Sequence, residues 1–99
     1  MKPIEFAPEA RDEFDAAVEW YESHAEGLGQ RFIQRVEETL LDVSQAPREL
    51  AVWEGDSRFR KAVVRRFPYV IFFRELTDVI EIVAVAHGAR EPGYWLGRR

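Results

Sequence analysis

Two apolar stripes of helical period, separated only by Gly27-Leu28-Gly29, constrain this chain more than any other feature. Ala10, Phe14, Ala17, Val18, Tyr21 and Ala25 recur at three- and four-residue spacing, which predicts an amphipathic helix entered at Pro8. Glu9, Asp12 and Glu13 fall in its first turns, where the helix dipole favours acids. Asp15, Glu19, Glu22 and Glu26 lie largely off the stripe. Gly27 is expected to end this helix in a left-handed cap. Leu28, Phe32, Val36, Leu40 and Val43 form the second stripe, widened by Ile33 and Leu41. Pro47 stops it, because the residue before a proline avoids the helical region. Helices joined this tightly pack as an antiparallel hairpin.

The rest of the chain has a different period. Ile4 and Phe6 alternate with Glu5 and Ala7, a short first strand. After Pro47 the segment Phe59–Phe67 mixes basic and β-branched residues, and Tyr69–Leu76 and Val79–His87 are strongly β-prone. Phe67-Pro68-Tyr69 marks a bend, and Thr77-Asp78 is short enough for a hairpin turn. Arg65 and Arg66, read as strand residues, are expected to point to opposite faces. Residues 80 to 86 are apolar on both faces apart from Glu81, so this strand should be covered on both sides. The expected architecture is α+β, in the order β-α-α-β-β-β. An N-terminal strand and an antiparallel helix hairpin pack on a mostly antiparallel sheet, as one domain spanning residues 1–99.

The absence of cysteine removes disulfides and thiolate metal sites. The histidines, His24 and His87, stand far apart, so neither a metal site nor a cofactor is expected. The longest apolar runs, Tyr69–Phe73 and Ile82–Ala86, are too short to span a bilayer. Met1-Lys2-Pro3-Ile4-Glu5 lacks the apolar stretch of a signal peptide, so a cytoplasmic protein is expected. The net charge of −4 conceals an asymmetry: residues 1–50 hold twelve acids against five bases, and residues 51–99 six acids against nine bases. Attraction to an anionic partner must come from the second half.

Three segments are similar to the RelE/ParE toxin superfamily of type II toxin–antitoxin systems, and to its ParE-like branch in particular. They are the entry Phe6-Ala7-Pro8-Glu9-Ala10 with Glu13, the stretch from Val64-Arg65-Arg66-Phe67-Pro68-Tyr69 to Phe73, and the ending Ala84-Val85-Ala86-His87-Gly88-Ala89-Arg90-Glu91-Pro92-Gly93-Tyr94-Trp95. The resemblance spans about residues 3–97. It implies a toxin held inactive by a cognate antitoxin, ParD-like and of ribbon-helix-helix type, in a toxin–antitoxin hetero-oligomer.

The superfamily has two activities. RelE-like members are ribosome-dependent, metal-free mRNA endonucleases, and ParE-like members poison DNA gyrase by binding it. Metal-free cleavage needs groups that move protons and stabilise a phosphorane. Aligned on Tyr69, the family's basic strand positions fall at Lys61, Val63 and Val70, and valine can do neither task. Arg90 matches the arginine after the last strand, and Tyr94 lies close to the family tyrosine. The nuclease candidates are therefore Arg65, His87, Arg90 and Tyr94. A gyrase poison needs a binding surface and no proton-transfer centre. Tyr94 and Trp95 beside Arg90, Arg98 and Arg99 have the aromatic-plus-arginine composition of such a surface, and Lys61, Arg65, Arg66, Arg90, Tyr94, Trp95 and Arg98 are the candidates for binding the target or the antitoxin. The resemblance favours the poison, with the nuclease as the alternative.

Each candidate also has a plain structural reading. His87 would cap the strand with a backbone hydrogen bond, and His24 would be a surface residue. Trp20 and Trp53 would either complete the core or face a partner. The acids of the first helix are expected to face water or a basic partner, and the tail is expected to present its arginine and ring groups outward.

Overall fold

The computed structural model describes residues 1–98. Strand β1 (Ile4–Phe6) leads into helix α1 (Pro8–His24), and helix α2 (Leu28–Gln45) follows. A 3-10 turn (Pro47–Glu49) precedes β2 (Ala51–Val52), β3 (Arg60–Val63), β4 (Tyr69–Glu75) and β5 (Ile80–His87). The five-stranded sheet has the order β1-β5-β4-β3-β2, with β1 parallel to β5 and every other pair antiparallel. The expected helix hairpin and mostly antiparallel sheet are both present. The two-residue strand β2 is an addition, too short to register as a β pattern.

The hairpin is set by close approach and by a shared cap. A Cβ at Gly29 would lie 2.9 Å from the Val18 carbonyl oxygen, so only glycine lets the start of α2 sit this near α1. The Glu22 carboxylate of α1 accepts hydrogen bonds from the Gly27 and Gly29 N–H groups at 3.0 and 2.9 Å. It thereby satisfies donors that open the next helix. Helix α1 ends at His24, three residues before the expected cap, and Ala25 is exposed in extended conformation. Gly27, at φ 84°, instead caps the start of α2. Leu41, assigned to the apolar stripe of α2, is 53% exposed, and Thr39 is buried in its stead. The Thr39 hydroxyl donates to the Arg35 carbonyl one turn earlier, which makes the burial tolerable.

The sheet carries a core on each face. Towards the helices, Phe32, Val36, Val43, Val64, Ile71, Phe73, Ile80, Ile82 and Val85 pack with Ala10, Ala17 and Tyr21. On the other face Trp53, Phe59, Phe72, Val83, Ala84 and Ala86 pack with Trp95. A register shift explains the unbroken apolar run of β5. Phe72 pairs with Ala84 and Phe73 with Ile82, which leaves Val83 as the extra residue of a β-bulge. Before the bulge the even positions face the helices, and after it Val85 does. No described helix is long and apolar enough to cross a membrane.

Arg65 and Arg66 are not strand residues. They lie in the turn between β3 and β4, where Arg66 adopts φ 69°, and both are exposed. The Val64 N–H to Tyr69 carbonyl bond (3.0 Å) closes this turn, so their side chains leave from a loop rather than from alternate faces of a strand.

Candidate functional site

The short β1 leaves part of β5 without a neighbour, and that gap organises the site. Pairing between the two strands ends at Phe6 and Ile82, and Pro8 then starts α1. Beyond the bulge, the outer edge of β5 is satisfied by side chains instead. The Val85 N–H donates to Glu13 Oε1 at 3.0 Å, and Arg98 Nη1 donates to the Val83 carbonyl at 3.1 Å. Glu13 and Arg98 are joined in turn by two parallel bonds, Nη1 to Oε1 at 2.9 Å and Nη2 to Oε2 at 3.0 Å. The pair closes a strand edge that would otherwise invite another chain.

The tail reaches Glu13 by folding back along β5. Gly93, at φ 81°, reverses the chain, and Trp95 inserts beneath it at 1% exposure. The Trp95 ring lies 4.7 to 5.0 Å from the rings of Phe72, Phe59 and Trp53. Its Nε1 has no hydrogen-bond partner among the described residues, and the Phe59 ring meets it edge to face. The Tyr94 hydroxyl donates to Glu13 Oε2, and the guanidinium carbon of Arg90 stands 3.8 Å from the Tyr94 ring centre.

These contacts shift the acidities involved. Burial alone would raise the Glu13 pKa, but hydrogen bonds from Arg98, Tyr94 and the Val85 N–H outweigh it and hold the carboxyl below its usual value. Burial, reinforced by the bond to Glu13, pushes the Tyr94 phenol far above the ordinary tyrosine value. Tyr94 is therefore neutral and committed as a donor to Glu13. The outward-facing tail is thus overturned for Trp95, which is core, and for Tyr94 and Arg98, which are part-buried and held by Glu13. The water-facing acids are likewise overturned at Glu13. Arg99 lies outside the described residues.

The remaining candidates gather at one end of the sheet. On the helix-free face Lys61, Val70, His87, Arg90 and Tyr94 share the lining of a cavity of about 160 Å³. The Lys61 ammonium pairs with Glu54 at 3.3 Å, and Val63 on the same strand is 67% exposed. His87 Nδ1 accepts from the Ala89 N–H at 3.0 Å, the strand cap expected for it. Gly88 N–H donates to the Pro68 carbonyl at 2.7 Å, tying the segment that carries His87 and Arg90 to the turn that carries Arg65 and Arg66. Arg65, Arg66 and Arg90 are exposed and enter no salt bridge among the described residues. Among the described residues no group of histidine and acid side chains is arranged to hold a metal ion.

Around the corner, between α1 and the end of β5, runs a trough of about 580 Å³ lined by Ala16, Ala17, Trp20, Tyr21, Pro68, Tyr69 and Val85. Glu13, His87 and Arg90 complete it. Trp20 is 56% exposed, whereas Trp53 is buried under the tail.

The family model for the ParE toxin of type II toxin–antitoxin systems, parDE, matches residues 4–92. The chain belongs to the ParE toxin family. Among solved structures it is similar to a chain described as the chromosomal ParDE TA system from P. aeruginosa, with a TM-score of 0.73 at 19% identity. That likeness covers 88% of this chain and 96% of the other, and it shows a shared fold. No curated protein matches the sequence. Within this ParE-family fold, sequence reasoning missed Glu13 as the hub of the tail. It sits three residues after Ala10 and four before Ala17, both buried, so an acid on the apolar stripe was the available signal.

Proposed function

We propose that this ParE-family toxin acts by binding its target rather than by cutting RNA, and that the target is DNA gyrase. One observation carries the reading: the helix-free sheet face offers Val63 and Val70 where a metal-free nuclease needs basic groups, and the nearby Tyr94 phenol is spent on Glu13. A phenol with a raised pKa, donating to a carboxylate, is a poor acid or base at neutral pH. Arg65, Arg66, Arg90 and Lys61 are then binding residues, and Trp95 and Arg98 shape the tail that presents Arg90. A cognate ParD-like antitoxin of ribbon-helix-helix type would neutralise the toxin in a cytoplasmic hetero-oligomer.

The competing mRNA endonuclease reading draws on the shared cavity of Lys61, His87 and Arg90. Purified chain added to a gyrase supercoiling assay, and separately to programmed ribosomes, separates the two. Loss of supercoiling with accumulation of cleaved plasmid is expected. A-site mRNA cuts that disappear in Arg90→Ala would replace the proposal with the nuclease. In cells, expression alone should arrest growth and co-expression of the neighbouring antitoxin gene should restore it.

A further inference from the structure

We infer that Glu13 is a positioning residue for target binding: through the Tyr94 ring it holds the Arg90 guanidinium in place for an acceptor on the target. The inference rests on the binding reading above for what Arg90 meets, and on geometry alone for how Arg90 is held.

A surface arginine binds with an entropic handicap, because its long side chain must be ordered on contact. Arg65 and Arg66 face that handicap in full. They leave an exposed turn, and among the described residues neither guanidinium stands over a ring or enters a salt bridge. Arg90 is equally exposed, yet its guanidinium carbon rests 3.8 Å from the centre of the Tyr94 ring. Contact of this kind uses the face of the guanidinium and leaves its N–H edge free to donate.

The ring is itself fixed. The Arg90 N–H donates to the His87 carbonyl at 3.0 Å and the Tyr94 N–H to the Glu91 carbonyl at 3.2 Å, which places the backbone of both residues. The direction of the ring is set at its far end, where the hydroxyl donates to Glu13 Oε2. Glu13 in turn stands on α1 and is clamped by Arg98 and the Val85 N–H. Closing the β5 edge needs only those last bonds and the one from Arg98 to the Val83 carbonyl. The bond to Tyr94 does nothing for that edge, and its effect is on the ring.

Glu13 also sets the electrostatics of the contact. A phenol that donates to a carboxylate carries more electron density in its ring, which strengthens the attraction of that ring for a cation. The Arg98 guanidinium carbon stands 5.2 Å from the same ring centre, so two cations share one ring. The Glu13 carboxylate, paired with Arg98, is the counter-charge that makes this arrangement stable. Without it the two guanidinium groups would repel each other across the ring they share.

NMR relaxation and ring-current shifts of the arginine side chains test the positioning without any target. In the parent, the Arg90 Nε–H should be more ordered than those of Arg65 and Arg66, with the Arg90 Cδ protons shifted upfield by the ring. Tyr94→Phe keeps the ring and the Glu13–Arg98 pair, and Glu13→Gln keeps an acceptor but not the charge. Both should lower the order of Arg90 towards that of Arg65. Circular dichroism checks that each variant is folded. Gyrase supercoiling gives the consequence: Tyr94→Phe should raise the half-inhibitory amount of the chain about three- to tenfold, and Arg90→Ala about tenfold or more. In the Arg90→Ala background Tyr94→Phe should add less than about twofold, because Glu13 and Tyr94 act through Arg90. A Tyr94→Phe effect of the same size in both backgrounds means a merely structural role and overturns the inference. So does an Arg90 as mobile as Arg65 in the parent, or one equally ordered in parent and both variants. Order lost as expected in a protein that leaves gyrase untouched would sink the target and leave the hold on Arg90 standing.

Discussion

Glu13 and Arg98 lie 85 positions apart and meet through two parallel hydrogen bonds of 2.9 and 3.0 Å, making the C-terminal tail part of the sheet edge. Both side chains are under one-fifth exposed, so water compensates poorly if either is lost. Glu13→Gln removes the charge and weakens acceptors for Arg98, Tyr94 and the Val85 N–H. It should lower stability by about 2–3 kcal/mol. Combined with Arg98→Met, the two losses should fall short of additive by about 1 kcal/mol or more. Urea melts of the four proteins give that coupling, and strict additivity would mean the pair does not act as a unit.

Acid should loosen the same contact. Three carboxyls are held below their ordinary values: Glu13 as described, Asp56 at about 2 through Arg58, and Glu75 through Lys2 and then Arg48. A group with a depressed folded-state pKa binds protons more readily when unfolded. Its stabilisation is therefore complete above the unfolded value, about 4.3 for glutamate, and is lost as pH falls through the folded value. Stability should be flat from neutrality to about pH 5 and decline below it. The decline should be shallower in Glu13→Gln, which has no carboxyl there to protonate. A slope identical to the parent would remove Glu13 from the account.

The alkaline limb is set by tyrosine. Burial raises all three phenols, with Tyr69 further raised by Glu13 and Tyr94 by its bond to the same carboxylate. Here the neutral form is favoured in the folded state, so stability is full below about pH 10 and is lost above it as the unfolded chain ionises. Ultraviolet titration at pH 10 should show less phenolate in the native protein than in the urea-unfolded chain, which should show about half ionisation. Normal phenolate formation in the native state would contradict the buried bonding of Tyr94.

Trp95 tests the second core. It is 1% exposed and packed against Trp53, Phe59 and Phe72. Trp95→Ala should cost about 3–5 kcal/mol, a large part of the margin of a domain this size. Trp95→Phe should cost less, because the unpartnered Nε1 contributes no hydrogen bond to lose. Thermal unfolding monitored by circular dichroism ranks the two. Equal stability of parent and Trp95→Ala would return Trp95 to the surface.

The helix hairpin and the strands β4 and β5 were legible because each rests on a local period that a few residues display, whereas β3 stops at Val63, short of the basic segment read with it. Gly27-Leu28-Gly29 and Pro47 bound the helices, and Thr77-Asp78 turns the last two strands, as the Leu76 N–H to Val79 carbonyl bond at 2.8 Å shows. The candidate site was legible only in part. Arg90 stands exposed at the end of the sheet, but Trp95 was read as surface because aromatic and arginine neighbours suit an interface and a core lid equally. Nothing local distinguishes the two. The second core needs Trp53 and Trp95 brought together across the sheet, and the hub needs Glu13 to meet a tail more than 80 positions away. Such pairings are fixed by topology, above all by a β1 that stops at Phe6 and leaves β5 to be closed by side chains.

Gly29 offers the sharpest test of the hairpin. Alanine is the better helix former by about 1 kcal/mol, so propensity alone predicts that Gly29→Ala stabilises the protein. The new Cβ would stand 2.9 Å from the Val18 carbonyl oxygen and 3.0 Å from Glu22 Oε1, the atom that accepts the Gly29 N–H. A backbone oxygen cannot swing aside, so α2 must shift and the cap from Glu22 must loosen. Overpacking of this kind costs about 1–3 kcal/mol, enough to reverse the sign. Chemical denaturation should show net destabilisation, with Glu22→Gln in the Gly29→Ala background costing less than in the parent because the cap is already strained. A Gly29→Ala protein more stable than the parent would mean the two helices do not approach as described.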